Sequence, residues 1–423
     1  MTPEGWRKAR VGEVAAWLGR GMSPSYASTD TGVFAVNQKC VRAGRVATEF
    51  VRAHDPAKPV KSEATLRDGD LCINSTGTGT IGRVGLWSGK PSGRFFADTH
   101  VTVARLHPTA AVPKFLCEAL LSSAIQKEME ASCFTGSTNQ IELSRTAFAD
   151  LQILLPPLPE QRKIAAILSS VDEAIEGTQA VIDQLQVVKK AMMADLLTRG
   201  IPGRHKKFKQ TEIGEVPQEW EVVPLGTIAS FVTSGSRGWA EYYATEGALF
   251  IRSQNVRAGV LDFFDRAFVR VPPGAEGERT RVATSDVLIT ITGNSVGNVA
   301  EAPDGLGDAY VSQHVGLVRL KNPSEASFVS TYLSPGAPGN AQVLAAQYGQ
   351  SKPGLSLTNV RSFLIPIPSV AEMLEIQAAV ASVQDRMVTE ERELVNLRDT
   401  KSALMSILLT GEVRVRVDDE ATA

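Results

Sequence analysis

The chain is poor in residues that carry chemistry. Its 423 residues include only four cysteines, Cys40, Cys72, Cys117 and Cys133; none forms a CxxC pair and all lie in the first half. That argues against a thiolate zinc site and against a disulfide framework, and buried or incidental free thiols are expected. The five histidines form no cluster with metal-ligand spacing. No Asn-Pro-Pro-aromatic motif for methyl transfer to an amino group occurs, since Asn322-Pro323 continues as Ser-Glu. No apolar run approaches the ~18 residues of a membrane span. The opening MTPEGWRKARVGEV has no apolar stretch behind its charges, so no secretory leader is expected and the expected compartment is the cytoplasm. A net charge of −2 does not announce a nucleic-acid binder. With 43% hydrophobic and 21% charged residues the chain is ordinarily globular, and its length calls for two or more cores.

Two stretches imitate nucleotide motifs. GTGTIG (77–82) has the Gly-x-Gly-x-x-Gly spelling, but the glycines at 82, 85, 89 and 93 cannot open the helix that motif requires. The second half has the shorter GNSVG there, so a turn between strands is the better reading. GLWSGKP (85–91) is one spacer residue short of a phosphate loop, and Pro follows its Lys.

What is present is repetition. Each half opens with Pro-x-x-Trp, at Pro3–Trp6 and Pro217–Trp220. VGEVA (11–15) parallels LGTIA (225–229), and VRAG occurs at 41–44 and 256–259. GDLCINSTG (69–77) parallels SDVLITITG (285–293), and THVTVARL (99–106) parallels QHVGLVRL (313–320). LLPPLPEQRKIAAILSSVD (154–172) then aligns with PIPSVAEMLEIQAAVASVQ (366–384). All keep one order at offsets between 212 and 216, so the chain is a duplicated unit. His100 and His314 recur because the whole half recurs. A lone histidine on a strand is more often a structural or contact residue than a ligand or base.

Each half begins with ~145 residues rich in Gly, Thr and β-branched residues, which predicts strands, turns and a few helices. The octets fit strands, with Val101 and Val103 on one face and Val315 and Leu317 likewise. A long helix follows each. Apolar residues recur as Ile164, Leu168, Val171, Ile175, Ile182, Leu185, Met192 and Leu196, then as Ile376, Val380, Val383, Met387, Leu394, Leu397, Leu404 and Leu408. This alternating spacing of four and three is a heptad seam, which needs a partner helix, and the chain offers the other copy. The expected fold is α+β: two repeated domains separated by two long helices packed as an antiparallel coiled coil, pseudo-twofold symmetric, with a domain at each end. Expected boundaries are domain 1 at 1–150, a central helix at 156–200, a linker at 201–216, domain 2 at 217–362, a C-terminal helix at 368–411 and a tail at 412–423. The repeat-equivalent Lys189 and Lys401 are expected to face acids near Asp385 and Glu173.

With no catalytic constellation, the chain reads as a binder. Twin domains on a rigid spacer suit a target with two separated sites, such as duplex DNA, whose half-sites lie ~34–36 Å apart per helical turn. Residues 1–145 hold 18 basic against 13 acidic side chains, but residues 219–358 hold 10 against 13. The second domain is therefore expected to need a partner that supplies phosphate contacts. Candidate base-reading residues come from loop chemistry and the repeat. In the first half they are Asn37, Gln38, Lys39, Arg42, Arg45, Thr76, Thr78, Arg83, Ser137, Thr138, Asn139 and Gln140. In the second they are Arg252, Gln254, Asn255, Arg257, Asn294, Ser295, Gln313, Gln350, Ser351 and Lys352. Ordinary solvated loops are the competing reading of these residues.

The segments LPPLPEQRKIAAILSSVDEAI (155–175), VIDQLQVVKKAMMADLLTRGIPG (181–203), HKKFKQTEIGEVPQEWEVVPLG (205–226) and LLTGEVRV (408–415), with GSTNQIELSRTAFADLQILLPPLPEQ (136–161), resemble the specificity subunits of type I restriction–modification systems. The resemblance implies two target-recognition domains that read a split DNA sequence, with the helices as a ruler. It implies a chain that is no enzyme by itself, within a defence complex that cleaves DNA and methylates adenine. Partners would be double-stranded DNA, two modification subunits and two restriction subunits. S-adenosylmethionine would come with the former and ATP and Mg with the latter, and no cofactor is expected on this chain. Glu160, Gln161, Arg162 and Glu372 would grip modification subunits. The second helix departs from the family pattern, keeping only Glu372 and Ile376 of Glu160, Gln161 and Ile164. A DNA-independent scaffold and a self-sufficient methyltransferase or nuclease are the rival functions.

Overall fold

The computed structural model describes residues 2–89, 92–136, 141–271, 274–349 and 353–417. It divides into two compact units: unit 1 is Met1–Gln179 with Arg392–Ala423, and unit 2 is Ala180–Glu391. Each unit is thus a globular module plus parts of both long helices.

In unit 1, β1 (Arg7–Arg10) pairs antiparallel with β6 (Gln152–Leu155), while β2 (Ala15–Arg20), β5 (Val101–Leu106), β3 (Leu71–Asn74) and β4 (Val84–Leu86) lie side by side in that order. A ribbon over residues 41–46 extends this sheet past β4. The octet THVTVARL forms β5. Val101 and Val103 face one apolar cluster and Ala104 and Leu106 another, so the strand is covered on both sides. α1 (Pro113–Leu121) packs on the second face, with Phe115, Leu116 and Leu120 fully buried. α2 (Leu158–Arg199) is the first long helix.

Unit 2 repeats this plan. β9 (Glu221–Pro224) pairs with β14 (Leu364–Ile367), and β10 (Ala229–Ser234), β13 (Val315–Leu320), β11 (Val287–Thr290) and β12 (Val299–Glu301) follow in the same spatial order. Val315 and Leu317 again face one cluster, Val318 and Leu320 the other. α3 (Ala326–Leu333) stands where α1 stands, and α4 (Val370–Leu408) is the second long helix. The segment expected to be a linker contains an ordered hairpin, β7 (Phe208–Thr211) with β8 (Gly214–Pro217), which carries the buried Val216 into the core. A run of polar residues concealed three apolar anchors, Ile201, Ile213 and Val216, spaced too irregularly to show a period.

Both helical seams form. Every seam position is buried or half-buried. In unit 1, Asp172 and Glu160 meet Lys401 and Arg414; in unit 2, Lys189 and Ile201 meet Gln384 and Glu372. In each unit one residue number rises as its partner falls, so the helices run antiparallel. The expected acids were one residue off for Lys401, which meets Asp172 rather than Glu173. For Lys189 they are absent: its partner is the amide of Gln384, not Asp385. No helix among the described residues is long and apolar enough to cross a membrane.

The Pro-x-x-Trp motifs explain how each module joins its helix. A turn closed by the Trp6 N–H on Pro3 O, 3.1 Å, aims the indole at the first turn of α2, where Nε1 donates to Glu160 at 3.1 Å. Trp220 N–H on Pro217 O, 3.0 Å, does the same for α4, and its indole donates to Glu372 at 3.1 Å. The chain emerging from the opposite helix completes both locks. Arg414 grips Glu160 with two nitrogens, at 2.7 and 2.9 Å, and His205 Nε2 lies 2.8 Å from Glu372. The tail, as far as described, is therefore docked.

Candidate nucleic-acid interface

One end of each central sheet gathers four polar segments by hydrogen bonds to backbone carbonyls. In unit 1 the turn after β3 takes Asn74 and Thr76 to its neighbours. Asn74 Nδ2 donates to Gln38 O at 3.0 Å, Ser75 N–H to His100 O at 2.8 Å, and Leu143 N–H to Ser75 O at 2.8 Å. Unit 2 repeats the construction. Asn298 Nδ2 donates to Val256 O at 3.0 Å, Ile291 N–H to His314 O at 2.9 Å, and Leu355 N–H to Ile291 O at 2.8 Å. The loops chosen on composition are therefore neighbours, although up to about a hundred residues separate them.

Within the unit 1 cluster the side chains differ in freedom. Asn37 is engaged locally, its Nδ2 on Phe50 O and its Oδ1 taking the Lys39 N–H at 2.8 Å. Gln38 is half-buried with Oε1 enclosed and unpartnered; Gly77, at φ +98°, packs so closely that a Cβ would lie 2.6 Å from that oxygen. Arg42 lies over the Phe50 ring at 4.6 Å, Arg45 is 3.7 Å from Glu49, and Arg83 donates to Gly79 O at 3.1 Å. Lys39 and Thr78 are exposed. Thr76 Oγ1 is 2.8 Å from His100 Nδ1, an exposed dyad that residue-type reasoning did not bring together.

In the unit 2 cluster the two arginines are paired with acids of their own loop. Arg252 is 3.1 Å from Asp265, and Arg257 is 3.5 Å from Asp262. Gln254 also binds Asp265. Asn255 is a correction: it is interior, with Nδ2 donating 2.9 Å bonds to the Asp262 and Asp265 carbonyls, so it shapes the loop and cannot reach a base. Phe264, at the tip of that loop, is 99% exposed. Asn294 and Gln313 are exposed; Gln313 touches His314, which pairs with Thr292 as His100 does with Thr76. Gly293–Gly297 spells Gly-x-Ser-x-Gly, but it joins two strands, and Ser295 Oγ donates to Ser253 O at 3.3 Å. A nucleophile elbow requires a strand-to-helix turn. Ser137, Thr138, Asn139, Gln140, Gln350, Ser351 and Lys352 lie outside the described residues. The segments just after them, at Glu142 and Gly354, bridge to Thr76 and Thr292.

The octet arginine that the two halves share is structural in both. Arg105 clasps Asp70 through two nitrogens at 2.9 and 2.7 Å, and Arg319 clasps Asp286 at 2.8 and 2.7 Å. The grip expected of Glu160, Gln161 and Glu372 on a partner is corrected by their burial. Gln161 takes the Val112 N–H at 2.8 Å and donates to Pro156 O, while both glutamates hold the locks described above. Arg162 is exposed. The four cysteines are buried free thiols, with Cys40 pushed up to about 11 by burial. Among the described residues no group of acidic, His or Cys side chains is placed to hold a metal.

Known proteins resemble this chain in sequence and in overall fold. Residues 3–187 match the family described as the type I restriction modification DNA specificity domain. The putative type I restriction enzyme MjaX specificity subunit of Methanocaldococcus jannaschii is 29% identical over 79% of this chain and 76% of its own. The MjaVIII specificity subunit of the same organism is 24% identical over 98% of this chain and 94% of its own. A solved chain from work on complex assembly and conformational transition of the type I R-M system shares the fold, with a TM-score of 0.60 at 17% identity, covering 98% of this chain and 100% of that one. So does the S subunit from M. genitalium, with a TM-score of 0.55 at 17% identity over 97% and 99% of the two chains. This chain is therefore similar to type I restriction–modification specificity subunits: the domain matches residues 3–187, and curated relatives of that kind match 79% and 98% of the chain.

Proposed function

We propose that the chain is the non-catalytic specificity subunit of a type I restriction–modification enzyme. Each module reads one half of a bipartite DNA site, the helices set the gap, and modification subunits dock on the assembly and methylate adenine. One observation carries this reading: the same four-segment cluster is assembled twice on the same strand ends, with different side chains in each copy. Two copies of one scaffold bearing two sets of donors suit two different base sequences. S-adenosylmethionine would belong to the modification subunits, and ATP with Mg to restriction subunits. Flipping the adenine would likewise fall to the methylating subunits. Partners that bring phosphate contacts would offset the acidic balance of residues 219–358.

The decisive experiment is sequencing of methylated adenines in cells that carry the system with this chain or with residues 1–145 exchanged for another recognition domain. One half of the methylated motif should change and the other persist. Methylation indifferent to the exchange would overturn the reading.

The spacer makes a sharper prediction. Seven residues added to each helix, between 179 and 180 and between 391 and 392, preserve the heptad seam and add ~10 Å at about 1.5 Å per residue. The recognised gap should lengthen by about three base pairs, at ~3.4 Å each. An unchanged gap would exclude a rigid ruler.

Arg42 and Arg257 occupy equivalent places in the two VRAG segments, but Asp262 partly neutralises only the latter. Arg42→Ala should therefore weaken DNA binding by the complex about tenfold, and Arg257→Ala less than about threefold. Equal losses in a fluorescence-anisotropy titration would contradict the interface as drawn.

A further inference from the structure

Both units carry a cavity against the long helices, at the same place in the repeat. In unit 1 it measures 540 Å³ and is lined by Ala119, Ile175 and Lys401 among others. In unit 2 it measures 610 Å³ and is lined by Thr331, Met387 and Lys189. Lys401 and Lys189 are repeat equivalents, as are Ile175 and Met387.

The two cavities differ in charge. In unit 1 Lys401 bonds to Asp172 at 2.8 Å and to Glu118 at 3.2 Å, and Lys114 bonds to the same two carboxylates at 2.7 Å each. Burial opposes the charge on Asp172, but the hydrogen bonds from Lys114 and Lys401 outweigh it and hold the carboxyl below its usual range. Two cations and two anions close the cluster. In unit 2 the counterparts of Lys114, Glu118 and Asp172 are Ser327, Thr331 and Gln384, all neutral. Only the lysine persists. Lys189 Nζ bonds to Gln384 Oε1 at 2.7 Å, and no ion pair to it occurs among the described residues. Loss of water around it pulls its pKa down. Beside it Gln377 accepts from Ser327 and Thr331 through Oε1, at 3.1 and 3.3 Å, which leaves Nε2 a buried donor with no partner. Lys189 and Gln377 both line this cavity, so an anion there would give a counterion to an ammonium that has none and, after a small turn of the amide, an acceptor to a donor that has none.

We propose that the unit 2 cavity is a binding site for a carboxylate, held by Lys189 and Gln377 in place of the acids that unit 1 supplies from its own chain. The carboxylate can come from a free di-acid or from an acidic side chain of a bound protein, and the cavity is of the size that takes a small ligand.

Succinate is the probe for the first source, measured on the full chain by thermal unfolding and calorimetry against chloride at equal ionic strength. At saturation it should raise the unfolding temperature by about 2–4 °C. Lys189→Met should abolish that rise. Thr331→Glu with Gln384→Asp, which rebuilds the acids of unit 1, should also abolish it, while raising the unfolding temperature without succinate. The second source is tested by binding of the modification subunit, an arm that rests on the function proposed above; there Lys189→Met should weaken assembly about tenfold. A succinate effect lost in Lys189→Met supports a free acid, and weakened assembly without a succinate effect supports a protein side chain. If Lys189→Met changes neither, the site does not exist. Failure of the wild-type chain to bind any modification subunit would count against the proposed function, and the succinate result would then decide the site alone.

Discussion

Glu372→Ala should destabilise unit 2 by about 3–5 kcal/mol, the usual effect of removing one partner from a buried charged network. The carboxylate is interior and accepts from His205 Nε2, Trp220 Nε1 and the Ile201 N–H. Truncation leaves three donors without an acceptor where water does not enter freely. It also removes the side chain through which the Trp220 and His205 nitrogens bond to α4. Urea unfolding followed by hydrogen exchange should show early opening of residues 201–224. Glu372→Gln keeps one oxygen and should cost less. Opening at the wild-type urea concentration would remove the lock from the account.

The same contact predicts a pH dependence. Burial raises the Glu372 carboxyl, but the bonds from His205, Ile201 and Trp220 outweigh it and hold the group below its ordinary 4.5. A carboxyl lowered on folding stabilises the fold at pH above its unfolded value, and that contribution is lost as pH falls through the lowered one. The stability gap between wild type and Glu372→Ala should therefore be full near neutrality and shrink below about pH 4.5.

Arg105→Ala is the second large effect, expected at about 3 kcal/mol or more. Asp70 is 1% exposed, and its carboxylate takes two nitrogens of Arg105 with, among the described residues, only the Arg67 N–H besides. Without Arg105 that charge is buried and nearly alone. The equivalent Arg319→Ala should cost less, because the Arg319 side chain is 40% exposed against 15% for Arg105. Water can then reach the orphaned Asp286 more readily. The contrast is a test of burial rather than of geometry, since the two clasps have matching distances. Equal losses in denaturant midpoint would show that solvent access does not control them.

Much of the architecture was legible because duplication makes each half a control for the other. A periodic apolar seam on a helix with no other partner dictates pairing, and a strand whose octet recurs in order dictates an equivalent strand. Charge pairing across the seam was legible only to within a residue, since heptad positions define faces and not side-chain reach. The candidate site was half legible. Loop composition marked segments that the fold brings together, but it could not distinguish Asn255, folded inward onto two carbonyls, from the exposed Asn294. Nor could it show that Glu160, Gln161 and Glu372 bind their own chain, because a hydrogen-bond acceptor at a helix start serves an internal donor or an external one equally well.

Duplication, helix seams and strand identity were settled by the order of residues alone, because each depends on local periodicity and composition. Tertiary packing alone decided where charge is spent: Arg42 over an aromatic ring, Arg257 beside an acid, Lys401 neutralised and Lys189 not. Electrostatic partnership depends on distances of a few ångströms between residues up to hundreds of positions apart, and no spacing along the chain encodes those.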